Sequence, residues 1–151
     1  MLRLVRTTSK NADFCTLVQL LDQDLAVRDG AEHAFYAQFN HIAKLNHVVV
    51  AYQDDEPVGC GAFKELEPGT VEIKRMFVQP AHRGRGVAQA VLAELERWAS
   101  ELGYAGGVLE TGQKQPEAIA LYRRSGYARI PNYGQYAGVE NSVCMRKVLG
   151  Q

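Results

Sequence analysis

The residues with the clearest chemical meaning form a short loop at positions 83–86, with the sequence Arg-Gly-Arg-Gly, immediately before a helical pattern. The first backbone N–H groups of a helix have no partner within it, and the helix dipole adds roughly half a positive charge there. Gly84 and Gly86 let the backbone approach a ligand closely, because neither carries a Cβ. Arg83 and Arg85 add donors that suit phosphate oxygens. The loop therefore predicts a binding site for a phosphate-bearing ligand.

Other interpretations of this region are weaker. A nucleotide-hydrolysing phosphate loop would need the spacing Gly-x-x-x-x-Gly-Lys-Ser/Thr, which places a lysine and a magnesium ligand, and the loop lacks it. His82, beside the loop, is expected at the surface. Cys144 is expected to be a small buried residue and not a nucleophile. Binding of phosphate thus remains the main chemical prediction from these residues.

The composition limits the class of protein. The chain has 151 residues, 46% of them hydrophobic, which suits one globular domain over residues 1–151. Its 17 basic and 17 acidic residues give a formal net charge of zero, so a nucleic-acid partner is not expected. No apolar run approaches the ~18 residues of a membrane span, and no signal peptide is evident, so we expect a cytoplasmic protein with no membrane partner. Its three cysteines lack paired spacing, so neither a disulfide framework nor a metal site is expected.

Hydrophobic periodicity predicts an α+β domain. Alternating and β-branched runs predict strands at 2–6, 48–52, 58–66, 71–78, 106–111, 127–130 and 142–148. Helical spacing predicts helices at about 10–25, 31–42, 87–102 and 116–125, the first of them capped within Thr7-Thr8-Ser9. Short turns join the second, third and fourth strands into an antiparallel meander. The next strand follows a long helix, so we expect it to pair in parallel through a right-handed crossover.

The strand at 71–78 has a change of pattern. It alternates at first and then becomes continuously apolar from Met76. This change predicts either a strand that enters the core or a β-bulge that redirects its side chains.

Two ordered motifs resemble the GNAT N-acetyltransferase superfamily. Val78-Gln79-Pro80, followed by the loop and Val87-Ala88, resembles the family's central motif. Val108 to Thr111, then Ala118-Ile119-Ala120-Leu121-Tyr122 and Gly126-Tyr127, resembles its second motif. The resemblance covers nearly the whole chain. It implies a three-layer fold with a mixed, mostly antiparallel twisted sheet of about six or seven strands, flanked by about four helices.

The resemblance implies acetyl-CoA, or another acyl-CoA, as the acyl donor, with no metal. The loop would hold the pyrophosphate, and the pantetheine arm would pair with the end of the preceding strand. Gln115 stands where the family often has an asparagine, and it can make similar hydrogen bonds. The implied cofactor-binding residues are Met76, Phe77, Val78, Arg83, Gly84, Arg85, Gly86, Val87, Ala88, Gln115 and Tyr122.

The reaction implied is direct attack of a primary amine on the thioester in a ternary complex. The acceptor would be a small molecule, an amino acid or a peptide. An ordinary alkyl amine has a pKa of ~10.4, so near neutral pH the site must either lower that pKa or supply a base. An acyl-CoA-binding sensor or regulatory domain without transferase activity is the alternative, and a homodimer is expected only by analogy with the family.

The resemblance suggests three catalytic residues. Tyr122 matches the family tyrosine whose hydroxyl approaches the CoA sulfur and acts as the acid. Glu72 is a candidate base, or else a solvated glutamate paired with Lys74 or Lys64. Glu110 is the rival carboxylate, which would bind the substrate ammonium, relay its proton or form a surface pair.

Two tyrosines in a late loop extend this set. Tyr133 and Tyr136 either line the acceptor pocket or lie in a surface loop.

Overall fold

A computed structural model describes residues 1–29 and 45–150. The predicted helix at 31–42 lies outside these residues. The strands are β1 (Leu2–Thr7), β2 (His47–Gln53), β3 (Glu56–Glu67), β4 (Thr70–Val78), β5 (Gly106–Gly112), β6 (Ala128–Ile130) and β7 (Ser142–Val148). The helices are α1 (Ala12–Asp29), α2 (Val87–Glu101) and α3 (Pro116–Arg124), with short 3₁₀ turns at Pro80–His82 and Gly134–Tyr136. Among the helices in the described ranges, none combines the length and the apolar character that crossing a bilayer requires.

The seven strands form one sheet in the order β1-β2-β3-β4-β5-β7-β6. Strands β1 to β4 pair antiparallel, whereas β5 pairs with β4 in parallel, with α2 as the connection. Strand β7 returns between β5 and β6 and is antiparallel to both. The predicted α+β class, the meander and the parallel crossover are therefore confirmed.

Helix α1 differs from its prediction at both ends. It begins at Ala12, and Asn11 provides the cap, because the Asn11 Oδ1 accepts a hydrogen bond of 2.9 Å from the Phe14 N–H. The prediction of a cap within residues 7–9 was wrong, since β1 extends through Thr7. The helix continues to Asp29, beyond the predicted end at Leu25.

Two apolar cores lie on opposite faces of the sheet. On one face, α1 buries Phe14, Leu17 and Val18 against residues of β2 and β3. On the other face, α2 buries a stripe at helical spacing against β2, β3 and β4, comprising Val87, Val91, Leu92, Leu95 and Ala99. Each fully buried large side chain contributes about 1.5–3 kcal/mol. The sheet is thus clamped from both sides, which fixes the strand ends that form the site.

Strand β4 contains the bulge that its sequence pattern predicted. Cys60 lies opposite Phe77 and Ala62 lies opposite Lys74, so a step of two residues on β3 corresponds to three on β4. Arg75 is at the irregularity, with a φ of +59°. The extra residue places the Phe77 side chain in the core under α1, while its neighbour Val78 packs in the core under α2.

Strands β4 and β5 separate after four pairs of residues. Their pairing runs from Thr70 and Gly106 to Ile73 and Leu109. Beyond that point, β5 continues to pair with β7 through Gly112. The sheet therefore opens between positions 74–78 of β4 and positions 110–112 of β5.

Candidate active site

A cavity of about 110 Å³ occupies the opening between β4 and β5. Its walls come from both strands, from α1 and α3, and from the turn before β7. The lining residues are Leu21, Leu25, Glu72, Ile73, Lys74, Arg75, Met76, Glu110, Thr111, Gly112, Gln115, Ala118, Tyr122 and Tyr136. The structure thus brings the three predicted catalytic residues together in one cavity.

Glu72 is buried in the cavity wall, with 3% of its surface exposed. The Tyr133 hydroxyl donates a hydrogen bond of 2.8 Å to its Oε2. The Lys74 Nζ lies 3.8 Å from its Oε1. The interpretation of Glu72 as a solvated glutamate is therefore wrong, although it does pair with Lys74.

Tyr122 enters the cavity from α3, whose N-terminal end follows Gln115. Its ring packs edge to face on Tyr127, with the centroids 5.9 Å apart. Burial, and then the negative charge of Glu110, raises the pKa of Tyr122 well above its ordinary value. The hydroxyl therefore stays protonated at neutral pH and can donate a proton or a hydrogen bond.

Glu110 lies on β5 opposite Cys144 of β7. Its charge also acts on Tyr136, where burial first, and then Glu110 and Glu72, raise the pKa of the phenol. The two carboxylates, Glu72 and Glu110, and the two tyrosines, Tyr122 and Tyr136, all line the same cavity. Cys144 is wholly buried, as its sequence context predicted.

The loop before β7 folds over the cavity. Tyr136 is 3% exposed and lines the cavity, and its ring meets that of Tyr133 edge to face at 5.8 Å. Tyr133 also contacts Glu72, so both tyrosine side chains turn inward, although most of residues 131–138 around them are exposed. That the two tyrosines line an acceptor pocket stays a prediction.

The glycine loop has the backbone that a ligand-binding loop needs. Gly84 and Gly86 have φ values of +78° and +81°, a region that residues with a Cβ rarely adopt. A Cβ built on either glycine would meet no atom within 4 Å, so open space lies in front of the loop. Gly86 precedes α2 directly, and the first N–H groups of that helix have no intrahelical acceptor.

The other predicted cofactor-binding residues contribute in different ways. Val87 is buried in the core and Ala88 is half-buried, so the N–H of Val87 is what remains for a ligand. Met76 and Gln115 line the cavity, whereas the side chains of Phe77 and Val78 are buried. The predicted pairing along the end of β4 uses backbone groups, so it does not require those two side chains.

Arg83 lies along the end of β4. Its Nε donates a hydrogen bond of 2.8 Å to the Val78 carbonyl oxygen, and its guanidinium lies 5.6 Å from the centre of the Phe77 ring. Arg85 is exposed. Arg83 is exposed as well, so the two arginines differ in that Arg83 is held against the end of β4 by these contacts.

Sequence reasoning named Lys74 only as a possible partner of Glu72 and placed neither of the two cations in the cavity. Lys74 and Arg75 are 8% and 5% exposed and line the same walls as the carboxylates. The alternation of β4 places Lys74 on the same face as Glu72, which was a usable signal. Arg75 had no such signal, because its orientation depends on the bulge.

Comparison with known proteins gives consistent results. Residues 15–127 match the profile of the Acetyltransferase (GNAT) family. An Azospirillum brasilense protein named IAA acetyltransferase is 36% identical over 135 residues, which cover 88% of each chain.

Solved structures share the fold along the whole chain. A candidate acyl-CoA N-acyltransferase from Klebsiella pneumoniae is 30% identical, with a TM-score of 0.83, and the match covers 99% of this chain and 98% of that one. The PaiA N-acetyltransferase of Thermoplasma acidophilum, in complex with coenzyme A, has a TM-score of 0.73 at 14% identity, covering 98% and 99% of the two chains. At that identity, the second likeness concerns the fold alone.

Proposed function

The chain belongs to the GNAT family of acetyltransferases, and on that premise we propose that it transfers an acetyl group from acetyl-CoA to a primary amine in the cavity between β4 and β5. The family resemblance seen in the sequence is confirmed, and so is the enzyme class. The acceptor class and the roles of individual residues are the substance of the proposal.

The observation that carries the proposal is the meeting of two carboxylates and a buried phenol where the sheet opens. A protonated amine cannot attack a carbonyl, and removing its proton near pH 7 costs about 4–5 kcal/mol. Glu72 and Glu110 supply the negative charge that binds the ammonium and the base that accepts its proton. Holding both reactants in one cavity lowers the barrier by several kcal/mol more.

The two carboxylates have different surroundings, which supports different roles. Glu72 has one oxygen engaged by Tyr133 and the other near Lys74, so its position is fixed. Glu110 lines the same cavity as Tyr122, the proposed acid, and its charge contributes to the raised pKa of that phenol. We therefore assign the binding of the ammonium to Glu72 and the acceptance of its proton to Glu110.

Tyr122 completes the transfer. Glu110 takes one proton from the ammonium, the neutral amine nitrogen forms a bond to the acetyl carbon, and the carbon–sulfur bond breaks; the second nitrogen proton replaces the one that Tyr122 gives to the sulfur. The raised pKa of Tyr122 keeps its hydroxyl protonated, so it can donate to the leaving sulfur. The products are an acetamide and coenzyme A, and no covalent enzyme intermediate is needed.

The cofactor's phosphates fit the loop at 83–88. The open space before Gly84 and Gly86 admits a bulky group, and the N–H groups at the start of α2 suit an anion. In this proposal, the backbone of positions 76–78 and the side chain of Gln115 hold the pantetheine arm. Acetyl-CoA contributes an activated acyl group, and these residues bind and orient it.

A direct assay tests this function. Release of free thiol is followed with acetyl-CoA and longer acyl-CoA donors over a panel of amines, amino acids and peptides. We expect turnover with acetyl-CoA and at least one amine. Tight binding of CoA with no turnover of any amine would instead favour a sensor of acyl-CoA.

A further inference from the structure

The wall of the acceptor cavity holds two cations beside the two carboxylates. The bulge in β4 allows the successive residues Lys74 and Arg75 to line the same cavity as Glu72 and Glu110. For a substrate whose only charge is an ammonium, the carboxylates suffice. Buried cations would repel such a substrate, because opposition of like charges is strong where water is excluded.

Arg75 has hydrogen-bonding capacity that its own contacts do not use. Its Nη2 donates to the Asp22 Oδ1 of α1 at 2.5 Å, and the side chain is 1% exposed. Its Nε is buried and donates no hydrogen bond within the part of the chain that the structure describes. A buried N–H without an acceptor is unfavourable, so a ligand oxygen at this position would be stabilising.

The backbone at Arg75 supports a use for its side chain. A φ of +59° is unfavourable for a long side chain, and Gly, Asn or Asp are the usual residues in that region. Strained positions of this kind concentrate at functional sites, where the surrounding structure holds them in place. Here the ladder with β3 on one side and the contact with Asp22 on the other hold the bulge.

We propose that the acceptor is a free amino acid, whose carboxylate binds Arg75, with Lys74 beside it, while its ammonium lies between Glu72 and Glu110. A guanidinium binds a carboxylate through two parallel hydrogen bonds, so the match is one of shape as well as charge. With both pairs ionised, the four cavity residues carry no net charge, which suits a zwitterion. This inference rests on the proposed function, since it names the substrate of the same site.

Matched substrates test the amino-acid acceptor separately from the proposed transferase activity. Each L-amino acid of a panel is compared with its amide and with the amine that lacks the carboxylate, for example L-leucine, L-leucinamide and isopentylamine. We expect kcat/KM to be at least about 10-fold higher for the best amino acid than for either analogue, as expected for loss of one charged hydrogen-bonding group. Turnover with an equal or higher kcat/KM for the analogues would overturn the inference and leave the proposed function intact.

Variants identify the residue responsible. Arg75→Gln should remove the preference for the amino acid, Arg75→Lys should keep part of it, and Arg97→Gln, at an exposed site on α2, should leave it unchanged. The ratio of kcat/KM values for the two substrate types is the readout, because a general loss of stability lowers both together. A ratio unchanged in Arg75→Gln would contradict the assignment.

Binding provides a measurement that does not depend on turnover. Calorimetric titration with CoA present compares the affinities for N-acetyl-L-leucine and N-acetylisopentylamine. The same comparison is made for other N-acetyl-L-amino acids and the corresponding N-acetylamines that lack the carboxylate. We expect the carboxylate-bearing members to bind at least about 10-fold more tightly and to lose this advantage in Arg75→Gln. Equal affinities would overturn the inference. This holds even if the enzyme turned over no amine, and absence of turnover is the separate outcome that would defeat the proposed function.

Discussion

Tyr122, Glu72 and Glu110 reach one cavity from three different elements. The phenol arrives from α3, one carboxylate from β4 and the other from β5. Two of them have a physical reason for their state: burial raises the pKa of Tyr122, and Tyr133 fixes Glu72 by a 2.8 Å hydrogen bond. The chemistry therefore depends on side chains whose positions are set by packing and hydrogen bonds.

Replacing Tyr122 with phenylalanine should lower kcat by about 10²-fold, the usual loss for a general acid. Affinity for CoA should change little, since the ring and its packing on Tyr127 are kept. Tyr104→Phe is the matched control, because that hydroxyl contacts the exposed Glu65 away from the cavity. Steady-state thiol release checks this, and a kcat within twofold of wild type would remove Tyr122 from the mechanism.

The same residue gives a prediction about pH. A raised pKa means that the protonated, donating form of Tyr122 persists above the ordinary phenol pKa of ~10. Activity should therefore not fall through ionisation of Tyr122 as the pH rises from 7 to about 10. The check is to measure kcat as a function of pH for the wild type and for Tyr122→Phe and to compare the two profiles. A wild-type rate that fell to that of the variant below pH 10 would contradict it.

The two carboxylates should differ in kinetic effect. Glu110→Gln should lower kcat by about 10²-fold, because the base is lost, whereas Glu72→Gln should mainly raise the KM for the amine. Initial rates with both substrates varied, and CoA affinities measured on each variant, distinguish these effects. The reverse pattern would exchange the two roles.

The sequence predicted these residues but not their contacts. Glu72, Glu110 and Tyr122 could be named because they lie at fixed places in two recognisable motifs. The hydrogen bond from Tyr133 to Glu72 joins residues 61 positions apart, and no local pattern encodes such a contact. Nor could the sequence orient Arg75, since one extra residue in a strand decides which way its side chain turns.

At the scale of elements, the loop and the start of helix α2 form the proposed anion site. Gly84 and Gly86 turn the chain with positive φ, and α2 then presents its first N–H groups. The core side of α2 anchors this end through the buried Val87. The loop is thereby held on a rigid helix, and it needs no contact with the reacting atoms.

Replacing Gly86 with glutamate should lower CoA affinity by at least about 100-fold, since it places a bulky negative group in the anion site. The positive φ should also cost roughly 1–2 kcal/mol of stability. Gly69→Glu is the matched control, because Gly69 has a φ of +82° and equal open space but lies in the turn between β3 and β4. Calorimetric titration with CoA on both folded variants checks this; similar affinities would place the cofactor elsewhere.

Most element bounds could be predicted because the apolar periodicity follows burial closely. The apolar stripe on α2 faces one core, and the β-branched run in β2 lies between both cores. The errors arose where capping or tertiary contacts determine where a helix begins or ends. Asn11, for example, caps α1, so the helix begins two residues later than predicted. The apolar pattern of β4 also changes at Met76, and the structure has a β-bulge just before that residue.

At the scale of the whole molecule, apolar cores cover both faces of the sheet, and strands β4 and β5 separate beyond Ile73 and Leu109. Helix α2 covers one face and α1 covers the other, and both contact β4. The cavity thus lies at a fixed interruption in an otherwise continuous ladder.

Leu95→Ala should lower the free energy of unfolding by about 2–5 kcal/mol, because Leu95 is wholly buried between α2 and the sheet. Leu102→Ala, at a site that is 50% exposed, should change it by no more than about 0.5 kcal/mol. Urea unfolding of both variants and the wild type, analysed with one common slope of free energy against urea concentration, measures the difference. Equal destabilisation would mean that the core under α2 is not packed as described.

The most direct test of the central claim uses the double variant Glu72→Gln, Glu110→Gln, with CoA affinity and thiol release measured on the same preparation. If transfer occurs between β4 and β5, CoA affinity should stay within about twofold of wild type while kcat/KM for the amine falls by at least about 10³-fold. A rate near that of wild type in this variant would show that the transfer takes place without these carboxylates and would contradict the account.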